Sequence, residues 1–127
     1  MDIEQEKKEI ERTILLFFDG FDNFDAELII KAFYSDRAEM FSIKKSGKLQ
    51  RTPVSNWRKM CETAKKQPDK NKEKSEKNIV YIDITGFAAQ AKVEYKFSDY
   101  IYTDYYNMLK IDGSWYITNK MFDTEFF

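Results

Sequence analysis

The chain has 127 residues, with 21 Lys and Arg against 22 Asp and Glu, a formal net charge of -1, and no histidine. Lacking histidine, it has no Ser-His-Asp or Cys-His nucleophile pair, no imidazole metal ligand and no histidine pH switch. The near-neutral charge gives little long-range pull toward nucleic acid or anionic lipid, so neither is expected as a partner. The length fits a single domain over residues 1–127 whose core needs no covalent staples. The one cysteine, Cys61, makes neither an intrachain disulfide nor a thiolate zinc site, which fits a reducing compartment. The charged stretch Met1 to Lys8 is unlike a signal peptide, and no apolar run approaches the ~20 residues of a spanning helix. The expectation is a cytoplasmic protein with no membrane partner.

From Ile3 to Phe21 the apolar residues Ile3, Ile10, Ile14, Leu15, Phe17, Phe18 and Phe21 follow helical spacing, with Glu and Lys opposite. Gly20 and Asp22-Asn23 break that pattern, and Asp25 is placed to cap a second helix from Ala26 to Phe33. Asp19, Asp22 and Asp25 recur every three residues but lack the alternating ligands and closing Glu of a calcium loop. Caps and turns explain them, and neither a metal nor a cofactor is expected. Ala38 to Ile43 reads as a strand, Lys44 to Gly47 as a turn, and Lys48 to Arg51 as a second strand. Thr52-Pro53 opens a third helix whose stripe of Trp57, Met60, Cys61 and Ala64 runs to about Lys66. Lys65 to Lys77 contains no apolar residue and is expected to be a solvated, mobile loop.

Beyond Asn78 the apolar period becomes two. Strands are expected over Val80 to Thr85, Ala89 to Phe97, Tyr105 to Ile111 and Trp115 to Phe122, with Asp112-Gly113 as a hairpin turn. Sequential antiparallel strands with helices segregated to one face make an α+β domain.

This order resembles the nuclear-transport-factor-2-like superfamily, which includes SnoaL-like and ketosteroid-isomerase-like proteins, and within it the putative lumazine-binding subfamily. Three motifs carry the resemblance. The first is Phe17-Phe18-Asp19-Gly20, Phe24-Asp25-Ala26 and Ala32-Phe33-Tyr34-Ser35-Asp36, in which Phe24 replaces a glycine and Tyr34-Ser35 a His-Pro. The second is Gly47-Lys48-Leu49 with Pro53 and Trp57. The third is Asp104-Tyr105, Leu109 to Trp115, Ile117 and Asn119-Lys120-Met121-Phe122. The resemblance implies a cone-like α+β barrel: N-terminal helices packed in a strongly curved antiparallel or mixed sheet, with a cavity at the open end. It also implies dimer pairing through the outer sheet surface in several relatives, and acid–base chemistry on ring compounds in others.

Strand parity sorts the candidate site residues. With Trp115 and Ile117 facing the helices, Asn119 and Met121 follow, and Tyr105, Asn107, Leu109 and Ile111 are assigned to the same side. The resulting ligand-binding set is Phe17, Phe21, Phe41, Trp57, Tyr95, Tyr105, Asn107 and Asn119. Such a lining suits a planar, pterin- or lumazine-like small molecule, since these sites are mostly apolar with few placed polar groups. The same rings also fit a filled core. No catalytic residue emerges. Met40-Phe41-Ser42 offers no base, Asn107 does not titrate, and Asp104 points outward in this register, although a slip of one residue reverses it. The alternatives are therefore an acid–base enzyme and a dimeric protein-interaction module without ligand. A homodimer is expected through Tyr106, Met108, Tyr116 and Phe122, bordered by Lys92, Lys96, Lys110 and Lys120.

Overall fold

Helix α1 (Ile3–Asn23) starts where Asp2 accepts hydrogen bonds from the backbone N–H of Glu4 and Gln5. Glu4 and Glu6 in its first turn suit the positive end of the helix dipole. It ends at Phe24, whose φ of 52° is the left-handed turn that stops many helices. A computed structural model describes residues 1–67 and 75–127. Helix α2 (Ala26–Lys31) is capped by Asp25, which accepts from the Leu28 N–H, and it ends earlier than its apolar spacing suggested. Strands β1 (Glu39–Ile43) and β2 (Leu49–Pro53) form a hairpin. A 3-10 turn over Val54–Asn56 leads into α3 (Trp57–Lys65). The lysine-rich loop expected over 65–77 falls mostly on 68–74, outside the described residues. Strands β3 (Glu76–Thr85), β4 (Ala88–Lys96), β5 (Tyr100–Ile111) and β6 (Ser114–Phe126) complete the chain.

The six strands lie in the order β2-β1-β6-β5-β4-β3. All neighbours pair antiparallel except β1 and β6, which run parallel, so the sheet is mixed. The expected α+β class with a cone-like sheet holds. The helices cover one face. Ile10, Ile14 and Phe17 of α1 and Ile29 of α2 share a core with Ala91, Val93 and Tyr95 of β4. Gly20 lets α1 and α2 approach, since a Cβ there would stand 2.8 Å from the Asp25 carbonyl oxygen and 2.9 Å from the Ile29 nitrogen.

The faces of β5 and β6 differ from the sequence expectation. The Asp112-Gly113 turn pairs Ile111 with Ser114 and Lys110 with Trp115, so inward Trp115 shares its side with even-numbered β5 residues. Asp104, Tyr106 and Met108 are accordingly buried at 0%, 0% and 1% exposure. Tyr105, Asn107 and Leu109 take the outer face. On β6, Ile117 pairs with Met108, but Asn119 pairs with Asn107, which leaves Thr118 as an extra residue. That bulge exchanges the faces beyond it. Lys120 is then buried at 1% exposure and Phe122 packs against the core, while Met121 is 49% exposed. The Thr118 hydroxyl donates to the Asn107 carbonyl at 3.0 Å and fastens the bulge. On β1, Met40 is the inward residue, so Phe41 also lies outside.

Candidate functional site

Under the helices, β4, β5 and β6 bring four polar side chains into an otherwise apolar core. Tyr95, Asp104, Tyr106 and Lys120 each have at most 1% of their surface exposed. Lys120 Nζ donates to Asp104 Oδ1 at 3.0 Å, and the Tyr106 hydroxyl donates to Asp104 Oδ2 at 3.1 Å. The Tyr95 and Tyr106 hydroxyl oxygens are 2.6 Å apart. Since Tyr106 gives its proton to the carboxylate, Tyr95 is the donor to Tyr106. The result is a directed chain, Tyr95 to Tyr106 to Asp104, closed on its far side by an ammonium.

Burial pushes the Asp104 carboxyl above its usual range, opposed by the adjacent Lys120 ammonium and by the tyrosine hydroxyls. Burial pushes Lys120 below its usual range, opposed by Asp104. Both groups are thus drawn toward neutrality, the pattern found at acid–base and binding centres. Desolvation raises Tyr95 and Tyr106 well above a free phenol, so both remain donors. An ion pair this deep contributes little net stability, because the lost hydration of two charges offsets their attraction. Its presence in a small core therefore directs attention to function.

Aromatic rings surround the chain. Phe17 meets Trp57 edge-on at 5.8 Å and lies 5.8 Å from Tyr106 and 6.4 Å from Tyr95. Phe21 contacts Trp57 at 6.1 Å and Tyr95 at 5.5 Å. Tyr102 and Phe122 stack at 5.3 Å, and Tyr102 also meets Tyr95 at 5.7 Å. Phe21, Trp57, Tyr102 and Phe122 are only partly buried. They cover the polar chain toward the end of the sheet remote from the β5–β6 hairpin. The hairpin end is closed differently: Glu6 of α1 accepts from Lys110 Nζ at 2.7 Å and from the Trp115 indole N–H. Those two bonds, led by Lys110, hold the Glu6 carboxyl below the usual carboxylate range.

Of the eight residues assigned from sequence, Phe17, Phe21, Trp57 and Tyr95 do come together inside. Phe41, Tyr105, Asn107 and Asn119 lie on the outer face for the reasons of register given above. Phe41 pairs with Met121, and Met121 with Tyr105, whose ring lies 5.5 Å below the Lys92 ammonium. Beside that row a polar string crosses four strands. Tyr81 donates to Gln90, Gln90 lies 3.5 Å from Asn107, and Asn107 donates to Asn119 at 2.9 Å. The set expected to form a dimer is also displaced. Tyr106 and Met108 are core residues, Phe122 stacks inside on Tyr102, and Lys120 is buried; Tyr116 stays outside with its partner Leu109. The residues missed from sequence are Asp104, Tyr106, Lys120, Tyr102 and Phe122. The hairpin turn carried the signal for the β5 members, whereas nothing in the pattern announced the bulge that turns Lys120 and Phe122 inward. Among the described residues, no helix is long and apolar enough to cross a membrane.

A mixed six-stranded sheet sheltering helices on one face is the arrangement this chain shares with a solved nuclear-transport-factor-2-like protein. A family model described as "Putative lumazine-binding" matches residues 5–123, and the chain belongs to that family. Solved structures agree on the fold. An NTF2-like protein of unknown function from Shewanella baltica is 25% identical, with 98% of each chain covered and a TM-score of 0.82. One from Silicibacter pomeroyi is 18% identical, with 98% of this chain and 100% of that chain covered and a TM-score of 0.81. A cystatin-like-fold domain of unknown function from Nostoc punctiforme is 14% identical, covering 91% of this chain and 75% of that one, with a TM-score of 0.70. A comparison with curated proteins finds no match.

Proposed function

We propose that the protein binds a planar, pterin- or lumazine-like ring compound at the open end of the cone, over Phe21, Trp57, Tyr102 and Phe122. One observation carries this reading. A chain of four buried polar side chains lies directly beneath partly exposed aromatic rings, and ligand sites combine such apolar walls with few placed polar groups. The family description supports the ligand class. The test is titration with lumazine, a pterin and a flavin, following tryptophan emission. Trp57 sits among the covering rings, whereas Trp115 is 3% exposed at the closed end beside Glu6. A saturable change that vanishes in Trp57→Phe is expected. No saturable change with any of these compounds sinks the proposal.

A second reading, acid–base catalysis on a ring compound, is favoured by the inward position of Asp104 beside Lys120. Its mark is turnover of a bound ring that stops in Asp104→Asn while binding persists. Equal turnover in both proteins would exclude Asp104 as the base.

We also propose a two-fold homodimer through the outer face, centred on Phe41, Met121 and Tyr105. A groove of about 470 Å³ beside Met121 and Tyr105 is lined by Lys92 as well as by Asp123 and Glu125. Opposite charges on one patch suit a self-complementary interface. Sedimentation is expected to give a dimer for the native chain and a monomer for Met121→Lys. A native monomer at tens of micromolar refutes it.

A further inference from the structure

The Lys120 ammonium carries three N–H donors but, among the described residues, has a single hydrogen-bond acceptor, Asp104 Oδ1 at 3.0 Å. Its other sides meet ring faces, with centroids at 4.6 Å for Phe122, 5.0 Å for Phe17 and 5.4 Å for Tyr102. Rings attract a cation electrostatically, yet they do not supply the oxygen that a dehydrated N–H bond otherwise finds in water. A lysine with 1% exposure is therefore left with donor capacity unspent. The cage is also uneven. Phe17 is buried at 1% exposure and backs the ammonium, whereas the stacked Tyr102–Phe122 pair is only partly buried. The thin wall of the cage is thus the one facing the proposed ligand.

We propose that Lys120 is a ligand-binding residue that anchors an acceptor oxygen, a carboxylate or a ring oxo group, of a flat compound entering past Tyr102 and Phe122. The assignment rests on the binding reading above and adds the charge class of the ligand. Asp104 keeps one oxygen on Lys120 and the other on Tyr106, so it orients the ammonium without consuming its remaining donors. An anionic or oxo-bearing ring meets a cation already in place. A cationic ring would have to share the cage with that ammonium, and like charges at such separations repel strongly where water is excluded. The side chain thus selects against organic cations that an empty aromatic cage beside a carboxylate would otherwise hold.

Three flat probes of one shape separate the cases: naphthoate, naphthylmethanol and naphthylmethylammonium, measured by calorimetry alongside lumazine. Naphthoate is expected to bind about tenfold or more tightly than naphthylmethanol, the yield of one charge-assisted hydrogen bond, and the ammonium probe most weakly. In Lys120→Met the naphthoate advantage disappears while naphthylmethanol binding holds within about threefold. The double variant Lys120→Met with Asp104→Asn leaves no orphaned charge and carries the same comparison if the single variant does not fold. Rings that bind without preferring naphthoate, or a preference that survives the loss of Lys120, overturn the anchor and leave the ring site standing. Failure of lumazine and of every naphthalene probe to bind removes the ring site itself, and the anchor with it.

Discussion

The buried ion pair makes a sharp prediction because its two members fail in different ways when separated. Asp104→Asn keeps the shape of the side chain and removes the one carboxylate that, among the described residues, touches Lys120, which has 1% exposure. The ammonium then either stays charged without a counter-ion or gives up its proton. Neutralising a lysine from its ordinary value of 10.5 at about pH 7 requires about 3.5 units, or roughly 4.8 kcal/mol at about 1.36 per unit. That bound agrees with the ~3–5 kcal/mol measured when one partner of a buried pair is removed. For a chain of this length the melting temperature should fall by roughly 12–20 °C, at about 4 °C per kcal/mol. The pH dependence has a definite sign. Burial lowers Lys120 in the folded state, so its contribution is present above the unfolded value and lost as pH falls through the folded one. The variant should therefore recover stability relative to the native protein as pH rises from about 7 toward 10. Urea melts at both ends of that window provide the assay, with Asp104→Leu plus Lys120→Met as the control that removes both charges. That control should lie within ~2 kcal/mol of the native protein or above it. A single variant losing less than about 1 kcal/mol, or a double variant losing the sum of both singles, would refute the reasoning.

Three further outcomes are expected. Gly20→Ala, in helix interior where alanine normally adds about 1 kcal/mol, should destabilise instead, because the new Cβ meets Asp25 and Ile29 backbone atoms below 3.0 Å; a rise in melting temperature contradicts the close approach. Tyr106→Phe strands an acceptor of Asp104 and the Tyr95 hydroxyl together and should lose about 1–3 kcal/mol, whereas Tyr95→Phe, leaving Tyr106 on Asp104, should lose about 0.5–1.5 in the same melts; the reverse order would mean the chain runs the other way. Glu6 is held low by Lys110 and Trp115, so its contribution is present above the unfolded value of 4.5 and lost as pH falls below it. Glu6→Gln should flatten the acid limb of the stability profile. Asp104, displaced upward, favours the folded state as pH falls, so an acid limb abolished by Asp104→Asn would assign it to the wrong carboxylate.

Element order was readable from the chain because period and punctuation agree there. Asp25 is a cap, Asp112-Gly113 is a two-residue turn, and the apolar period changes from 3.6 to two after the third helix. Part of the inner aromatic cluster was readable for the same reason: Phe17, Phe21 and Tyr95 lie on clear stripes. The rest failed at β5, where each face carries large apolar residues, Tyr102, Tyr106 and Met108 on one and Ile101, Tyr105 and Leu109 on the other, so hydrophobicity does not choose between Tyr105 and Tyr106. The two-residue turn does choose, since it places Lys110 opposite Trp115 and counts back to Asp104. Lys120 was beyond that count. Lysine is among the residues least often buried, and its inward position depends on one unpaired residue at Thr118 that no alternation pattern displays.

That one residue also sets how easily this architecture changes its chemistry. Because β6 switches sides at Thr118, the strand delivers Ile117 and Lys120 to the interior and Asn119 and Met121 to the exterior. Were Thr118 drawn into regular pairing instead, Lys120 would turn out and Met121 would turn in, leaving Asp104 buried without its cation. An interior that holds an ion pair and one that holds a lone carboxylate thus differ by the pairing of a single residue on a strand of unchanged length.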